Sequence, residues 1–284
     1  MFANNLIELS LIIPTFNEKA NISELVKRLE AVLASIRWEV IFVDDDSPDG
    51  TAAFVKSIAK YNSKVRCLHR VGRRGLAGAC IEGMLASSAP VVAVMDADLQ
   101  HDEALLTSMY EAINKGAELV VGSRYLNQAS LSRGLSPLRR WGSQVVTLVV
   151  QKFLGVKCSD PMSGFFMIRR EKIDAIGCRL SQDGFKILLD ILVFHPDIRM
   201  TEVPFMFRKR QEGESKLSFK IVAEYFALVL SKLSGGLLPL RFFMFLFVGS
   251  CGVVVHLATL ALFLHWTYFL MAQSLATLVA MTSN

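Results

Sequence analysis

The sequence predicts an α/β fold with a largely parallel sheet covered by helices on both faces, followed by helices that meet a membrane. Three observations carry that expectation. Between residues 9 and 122, apolar runs of strand length alternate with stretches of helical periodicity, the pattern of parallel strands joined by helical crossovers. Several of these runs end abruptly in clusters of polar residues, and in such sheets ligands bind beyond the carboxyl ends of the strands. From Phe242 to Asn284 there is no Asp, Glu, Lys or Arg, a composition suited to lipid rather than water.

The elements follow in order. Residues 9–14 form a first strand. Asn21 is expected to cap a helix over 22–35 whose apolar side is Ile22, Leu25, Val26, Leu29, Val32 and Leu33. Strand two is expected over 38–43 and a helix over 51–61; strand three over 65–68 and a helix over 76–86; strand four over 91–95 and a helix over 103–115. A fifth strand covers 119–122.

Polar loops follow strands one, two, four and five. Pro14-Thr15-Phe16-Asn17-Glu18 comes first, then Asp44-Asp45-Asp46-Ser47, whose continuation Pro48-Asp49-Gly50-Thr51 reads as a turn and helix cap. Three adjacent aspartates repel unless donors or a cation balance them, so at least one is expected to accept hydrogen bonds from a ligand. After strand four, Asp96, Asp98 and Gln100 alternate along the chain and would share one side of an extended segment. Two carboxylates and a neutral oxygen make a hard-oxygen site for Mg²⁺ or Mn²⁺, with water and phosphates completing the coordination. Taken alone, they are also ordinary polar strand-end residues, with Asp102 and Glu103 at the electropositive start of the next helix. Ser123-Arg124-Tyr125 follows strand five.

Composition narrows the partners. The 284 residues are 52% hydrophobic, with a mean hydropathy of +0.39, a net charge of +5 and a pI near 9.0. All the formal charge lies before the tail, which suits anionic lipid or phosphates. No basic stripe with interleaved aromatics is present, so no nucleic-acid partner is expected. Five cysteines (Cys67, Cys80, Cys158, Cys178, Cys251) are odd in number and lack zinc-site spacing, which fits a reducing compartment. The N-terminus lacks a basic region followed by an apolar signal core, so the catalytic part is expected in the cytoplasm.

Read together, Pro14 to Glu18, Val43 to Thr51, Gly75-Leu76-Ala77-Gly78-Ala79, Asp96-Ala97-Asp98-Leu99-Gln100-His101 and Gly122-Ser123-Arg124-Tyr125 resemble the family 2 inverting glycosyltransferases of GT-A fold. The resemblance is closer to the dolichol- or polyprenyl-phosphate mannose synthases, and it covers about residues 9–216. It implies a Rossmann-like GT-A domain. It also implies that Pro14, Phe16, Glu18, Val43 and Asp45 hold the donor's base and ribose. Asp96, Asp98 and Gln100 would form the metal and diphosphate site and Arg124 would contact phosphate; Ala97 and Lys186 are expected among the donor-binding residues. Two departures are visible: Phe16 stands where the family commonly has Tyr, and Asp102 where it has Pro.

Beyond strand five, residues 127–136 read as a loop and Pro137 as the first turn of a helix to about 154. Arg139 and Ser143 are four apart and share a face. That helix either packs on the domain or lies at the membrane interface; the resemblance implies the latter, with Arg139 and Ser143 presented to an acceptor phosphate. Asp160-Pro161-Met162-Ser163-Gly164-Phe165 reads as a turn before a strand, and the resemblance implies that it lines the reaction centre. Arg210-x-x-Gly213-Glu214-Ser215-Lys216 matches the family's loop over donor and acceptor phosphates.

Residues 217–233 are apolar with a narrow polar stripe of Lys220, Glu224 and Ser231, as in an interfacial helix. Gly235-Gly236 reads as a hinge, the stretch from 237 or 242 to 266 as one span, and 268–281 as the lipid-embedded part of a second. Arg241 and the basic residues before it put the start of the first span on the cytoplasmic side. The expected layout is a catalytic domain over 1–216, an interfacial helix and hinge over 217–236, and a transmembrane region over 237–284.

The expected activity is inverting transfer of a hexose from a nucleotide sugar to a polyprenyl monophosphate at the membrane. GDP-mannose is the favoured donor and UDP-glucose the alternative. Asp98, Arg124, Arg139, Ser143, Arg210 and Lys216 would carry the chemistry. A metal-dependent phosphatase fits less well, because Pro14 and Thr15 stand where its nucleophile would head the first strand. A non-enzymatic membrane scaffold would leave Asp96, Asp98, Gln100 and Arg210 without a purpose.

Overall fold

The computed structural model describes residues 6–126, 157–180, 187–205 and 240–283. The chain forms two compact units, Met1–Glu214 and Ser215–Asn284.

The first unit is built on one seven-stranded sheet. Strands β1 (Leu9–Thr15) and β2 (Trp38–Asp44) are buried along their whole length, as are β4 (Val91–Val94) and β5 (Leu119–Ser123). Strands covered on both faces need apolar side chains at successive positions, which is why these runs lack the polar alternation of half-exposed strands. With β3 (Val65–His69), β6 (Phe166–Arg169) and β7 (Met200–Pro204), the order is β3-β2-β1-β4-β6-β5-β7. All neighbouring pairs are parallel except those made by β6, which runs antiparallel to both β4 and β5. β1 has β2 on one side and β4 on the other. The chain winds outward in both directions from that point, the kind of switch at which ligands bind beyond the carboxyl ends of the strands, here β1 and β4.

Helices α1 (Lys19–Val32), α2 (Thr51–Ala59), α3 (Leu76–Ala86) and α4 (Leu105–Asn114) connect the first five strands. α1 buries Ile22, Leu25, Val26 and Leu29, and Leu33 at its C-cap is buried too, five of the six apolar positions read from its periodicity. Its start differs from expectation: Glu18 occupies the N-cap position and Asn21 lies within the first turn, where its side-chain amide donates to Glu18 Oε2 at 2.7 Å. α4 likewise begins two residues later than expected, and Glu103 is buried, accepting from Arg28 Nη1 at 3.2 Å. α3 has the expected bounds. It crosses β1 and β2 closely because Gly83 lacks a side chain: a Cβ there would lie 2.4 Å from Ile12 Cγ2 and 2.8 Å from Val43 Cγ2. After β6 come α5 (Arg170–Asp174) and α6 (Ile187–Phe194).

The second unit contains α7 (Leu240–Phe263) and α8 (Phe269–Ser283), which pack on each other. Gly252, Ala272 and Ala276 are buried, small residues that allow helix backbones to approach. Their other faces are apolar and exposed, including Phe245, Val254, Leu262, Leu270 and Met281. Among the described residues no helix is long and apolar enough to cross a membrane. The expected interfacial helix over 217–233 and the hinge at Gly235-Gly236 lie outside the described residues.

Candidate active site

Met95 N–H donates to Ile12 O at 3.2 Å, the last link between β4 and β1. Beyond it the chain turns instead of continuing extended as expected. Leu99 has φ +60°, and Gln100 N–H donates to Asp98 Oδ1 at 3.1 Å. The expected sidedness survives the turn: Asp96, Asp98 and Gln100 are half-buried while Ala97 and Leu99 are buried. His101, buried beneath the turn, fixes its start. Asp96 N–H donates to His101 Nδ1 at 3.1 Å, so the neutral imidazole carries its proton on Nε2. The ring stacks on Phe165 at 5.0 Å and meets Phe205 edge-on at 5.6 Å. Burial lowers its pKa to about 4, opposed by the charge of Asp98 and assisted by that of Arg124.

The Asp160–Phe165 segment closes against this turn. Ser163 Oγ donates to Gly122 O at 2.7 Å, at the end of β5. A Cβ at Gly164 would sit 3.3 Å from Asp96 Oδ2, so glycine leaves that carboxylate its room. Asp160, fully buried, accepts from Arg124 Nε at 2.7 Å, Nη2 at 2.8 Å and the backbone N–H at 3.3 Å. Burial opposes the charge on Arg124, but the hydrogen bonds and charge of Asp160 outweigh it and raise the arginine pKa. Arg124, read from the sequence as a phosphate contact, is in this structure the counter-ion of a buried carboxylate.

At the ends of β1 and β2 the three aspartates are balanced by the protein's own donors, so their repulsion does not require a ligand. Asp44 accepts from Thr15 Oγ1 at 3.1 Å, Ser47 N at 3.0 Å and Ser47 Oγ at 2.6 Å. Asp45 accepts from Arg70 Nη1 at 2.5 Å and Gly75 N at 2.7 Å. Asp46 is bonded to His69 Nε2 at 2.9 Å and Gly72 N at 3.1 Å. Asp49 Oδ1 accepts from Thr51 N at 2.9 Å and Thr51 Oγ1 at 2.6 Å, beside Gly50 at φ +81°, the turn and cap read from the sequence.

Pro14 and Val43 are buried register partners in β1 and β2. Phe16, 42% exposed at the end of β1, lies under the Arg74 guanidinium at 4.6 Å. Glu18 N–H donates to Thr51 Oγ1 at 3.2 Å. Phe16, Glu18 and Asp45 thus follow the carboxyl ends of β1 and β2, Asp96, Ala97, Asp98 and Gln100 follow that of β4, and Arg124 follows that of β5. Arg139, Ser143, Lys186, Arg210 and Lys216 lie outside the described residues. Two residues of this neighbourhood had no role in the sequence reading, Arg70 and His101. His101 closes the Asp96–Gln100 stretch and could have been singled out as its turn partner. Arg70 had only a weak signal, an arginine ahead of a turn with glycines at 72 and 75.

Residues 10–177, which run from β1 to just beyond α5, match the glycosyl transferase family 2. The chain belongs to that family. Among the relatives of this family 2 glycosyltransferase is a dolichol-phosphate mannosyltransferase of Pyrococcus furiosus. It is 36% identical over 264 residues, 91% of this chain and 73% of the relative. A dolichol-phosphate mannosyltransferase of Saccharomyces cerevisiae is 34% identical over 228 residues, 77% of this chain and 84% of the relative. In fold, the glycosyltransferase is similar to the crystal structure of glucosyl-3-phosphoglycerate synthase from Mycobacterium tuberculosis in complex with Mn²⁺, UDP-glucose and phosphoglyceric acid. The TM-score is 0.62 at 16% identity, covering 81% of each chain.

Proposed function

We propose that this family 2 glycosyltransferase moves mannose from GDP-mannose to a polyprenyl monophosphate, with inversion at the anomeric carbon, at the cytoplasmic face of a membrane. One observation carries the reading. Two half-buried carboxylates and an amide stand at the carboxyl end of β4, beside the Arg124–Asp160 pair, in a chain 36% identical to a dolichol-phosphate mannosyltransferase.

Asp96, Asp98 and Gln100 are hard-oxygen donors that suit Mg²⁺ or Mn²⁺, and the missing Cβ of Gly164 leaves room at Asp96. When bound, such an ion would offset the charge of the diphosphate. Pro14, Phe16, Glu18, Val43 and Asp45 hold the donor's base and ribose, and Lys186 is assigned to the donor as well. Arg124 and Lys216 balance the departing diphosphate, while Arg139, Ser143 and Arg210 aim the acceptor. A phosphomonoester has a second pKa near ~6 and is already largely anionic at neutral pH. It needs orientation more than a general base.

The layout is a catalytic domain over 1–216, an interfacial helix and hinge over 217–236, and a membrane region over 237–284. The exposed apolar faces of α7 and α8 support that membrane role. So do Trp266 and Tyr268, 83% and 90% exposed between the two helices, since such aromatics favour the lipid–water boundary.

The test is incubation with labelled GDP-mannose, Mg²⁺ or Mn²⁺ and polyprenyl phosphate, followed by butanol extraction. Lipid-linked label is the expected result. Release of free phosphate would mean a phosphatase, and neither product would mean a scaffold. Competition by free nucleotides fixes the donor: tighter inhibition by UDP than by GDP would overturn GDP-mannose.

A further inference from the structure

Arg70 stands just past β3, only 4% exposed, with its backbone N–H donating to Asp44 O at 2.8 Å. A buried guanidinium is costly unless its donors are met, and here Nε and Nη1 have carboxylate and carbonyl partners, those of Nη1 in a closed ring. Nη1 donates to Asp45 Oδ1 at 2.5 Å and to Gly75 O at 3.1 Å, while Gly75 N–H donates to the other oxygen, Asp45 Oδ2, at 2.7 Å. Nε donates to Glu82 Oε1 at 3.2 Å. Two glycines permit the arrangement. Gly75 holds φ +138°, a conformation that side chains disfavour, and a Cβ at Gly78 would lie 2.6 Å from Arg70 Nη2.

The ring fixes more than one carboxylate. Glu82 also receives both Nη1 and Nη2 of Arg73, at 2.7 and 2.9 Å, and Asp46 holds Gly72 N–H at 3.1 Å. The turn over 70–75 is therefore tied at both ends, and Arg74 within it lies across Phe16. Asp45 and Phe16 are the side chains assigned above to the donor nucleoside.

We propose that Arg70 is a positioning residue for the donor nucleotide, one that touches no substrate but sets the orientation of Asp45 and of the Arg74–Phe16 face. This rests on the nucleoside-side reading of Asp45 and Phe16. Removing one partner of a buried ion pair leaves the other charge desolvated and lowers stability, so a purely structural Arg70 would lower Tm when replaced but leave donor discrimination unchanged.

The experiment uses the full chain with Arg70→Met, Arg70→Lys and Asp45→Asn, measuring donor KM, acceptor KM, kcat, the ratio of inhibition by GDP and UDP, and Tm. Arg70→Met should raise donor KM roughly tenfold, the size of one charged hydrogen bond. It should also narrow the GDP-to-UDP ratio, with acceptor KM moving far less. Arg70→Lys keeps the charge but not the fork and should fall between; if the Met variant does not fold, the Lys variant decides by the same readouts. Donor KM and nucleotide ratio unchanged in a folded Arg70 variant, with Asp45→Asn still impaired, would overturn this inference alone. If Asp45→Asn is also without effect on the donor, the nucleoside assignment of Asp45 falls and this inference with it.

Discussion

Replacing Arg124 by alanine would leave the fully buried Asp160 carboxylate with the residue-124 backbone N–H, at 3.3 Å, in place of the three donors it now has. Removing one partner of a buried ion pair costs about 3–5 kcal/mol, because the charge left behind stays desolvated. For a domain of this size each kcal/mol shifts Tm by about 2–4 °C, so a fall of roughly 6–20 °C is expected. Arg124→Lys keeps a charge but cannot supply the two-pronged fork and should cost less, about 1.5–3 kcal/mol. Arg124→Met combined with Asp160→Leu removes both charges and should recover much of the stability while leaving transfer abolished. The assay is thermal unfolding of the four proteins beside their transfer rates. A Tm for Arg124→Ala within a degree of the parent would refute the argument, since Arg124 would then serve ligand phosphate only and Asp160 would not depend on it.

Further outcomes can be checked independently. Asp98→Ala should abolish transfer without unfolding the protein, and chelator should do the same reversibly with Mn²⁺ or Mg²⁺; full activity in excess chelator would remove the metal from the mechanism. Arg139→Ala should weaken use of polyprenyl phosphate by about 1.5–3 kcal/mol, and an equal loss of affinity for the nucleotide sugar would assign that helix to the donor instead. Glu118 accepts from Arg199 N–H at 3.0 Å and pairs with Lys172 Nζ at 3.0 Å. Hydrogen bonds, that from the Arg199 backbone foremost, lower its pKa from 4.5 to about 2. A carboxylate with a lowered folded pKa stabilises above its unfolded value, and that stability is lost as pH falls from about 4.5 towards 2. Glu118→Gln should flatten this part of the Tm–pH curve, and an unchanged curve would contradict the pairing. A chain ending near Ser234 should bind donor and glycosylate a short, detergent-soluble polyprenyl phosphate while losing rate on acceptor in bilayers; failure with the soluble acceptor despite donor binding would make the tail part of the site.

By itself the sequence determined the first five strands, the four helices joining them and the polar loops at the strand ends. These are short-range properties: fully buried strands demand consecutive apolar residues, α1 shows its core face every third or fourth residue, and Pro48-Asp49-Gly50-Thr51 can hardly be anything but a turn and cap. The family could be read too, because its motifs stand in order along one stretch of chain. Tertiary structure alone decided the rest. β6 runs antiparallel between β4 and β5, a placement set by pairing partners far away in sequence. Whether Asp44, Asp45 and Asp46 needed a ligand depended on donors from Thr15, His69, Arg70, Gly72 and Gly75, which only the folded sheet brings within reach. Charge repulsion is visible in a sequence, but its compensation is a matter of distance. The same holds for Arg124, whose buried partner Asp160 lies 36 residues further along the chain, and for Gly164, whose value is the space it leaves beside Asp96.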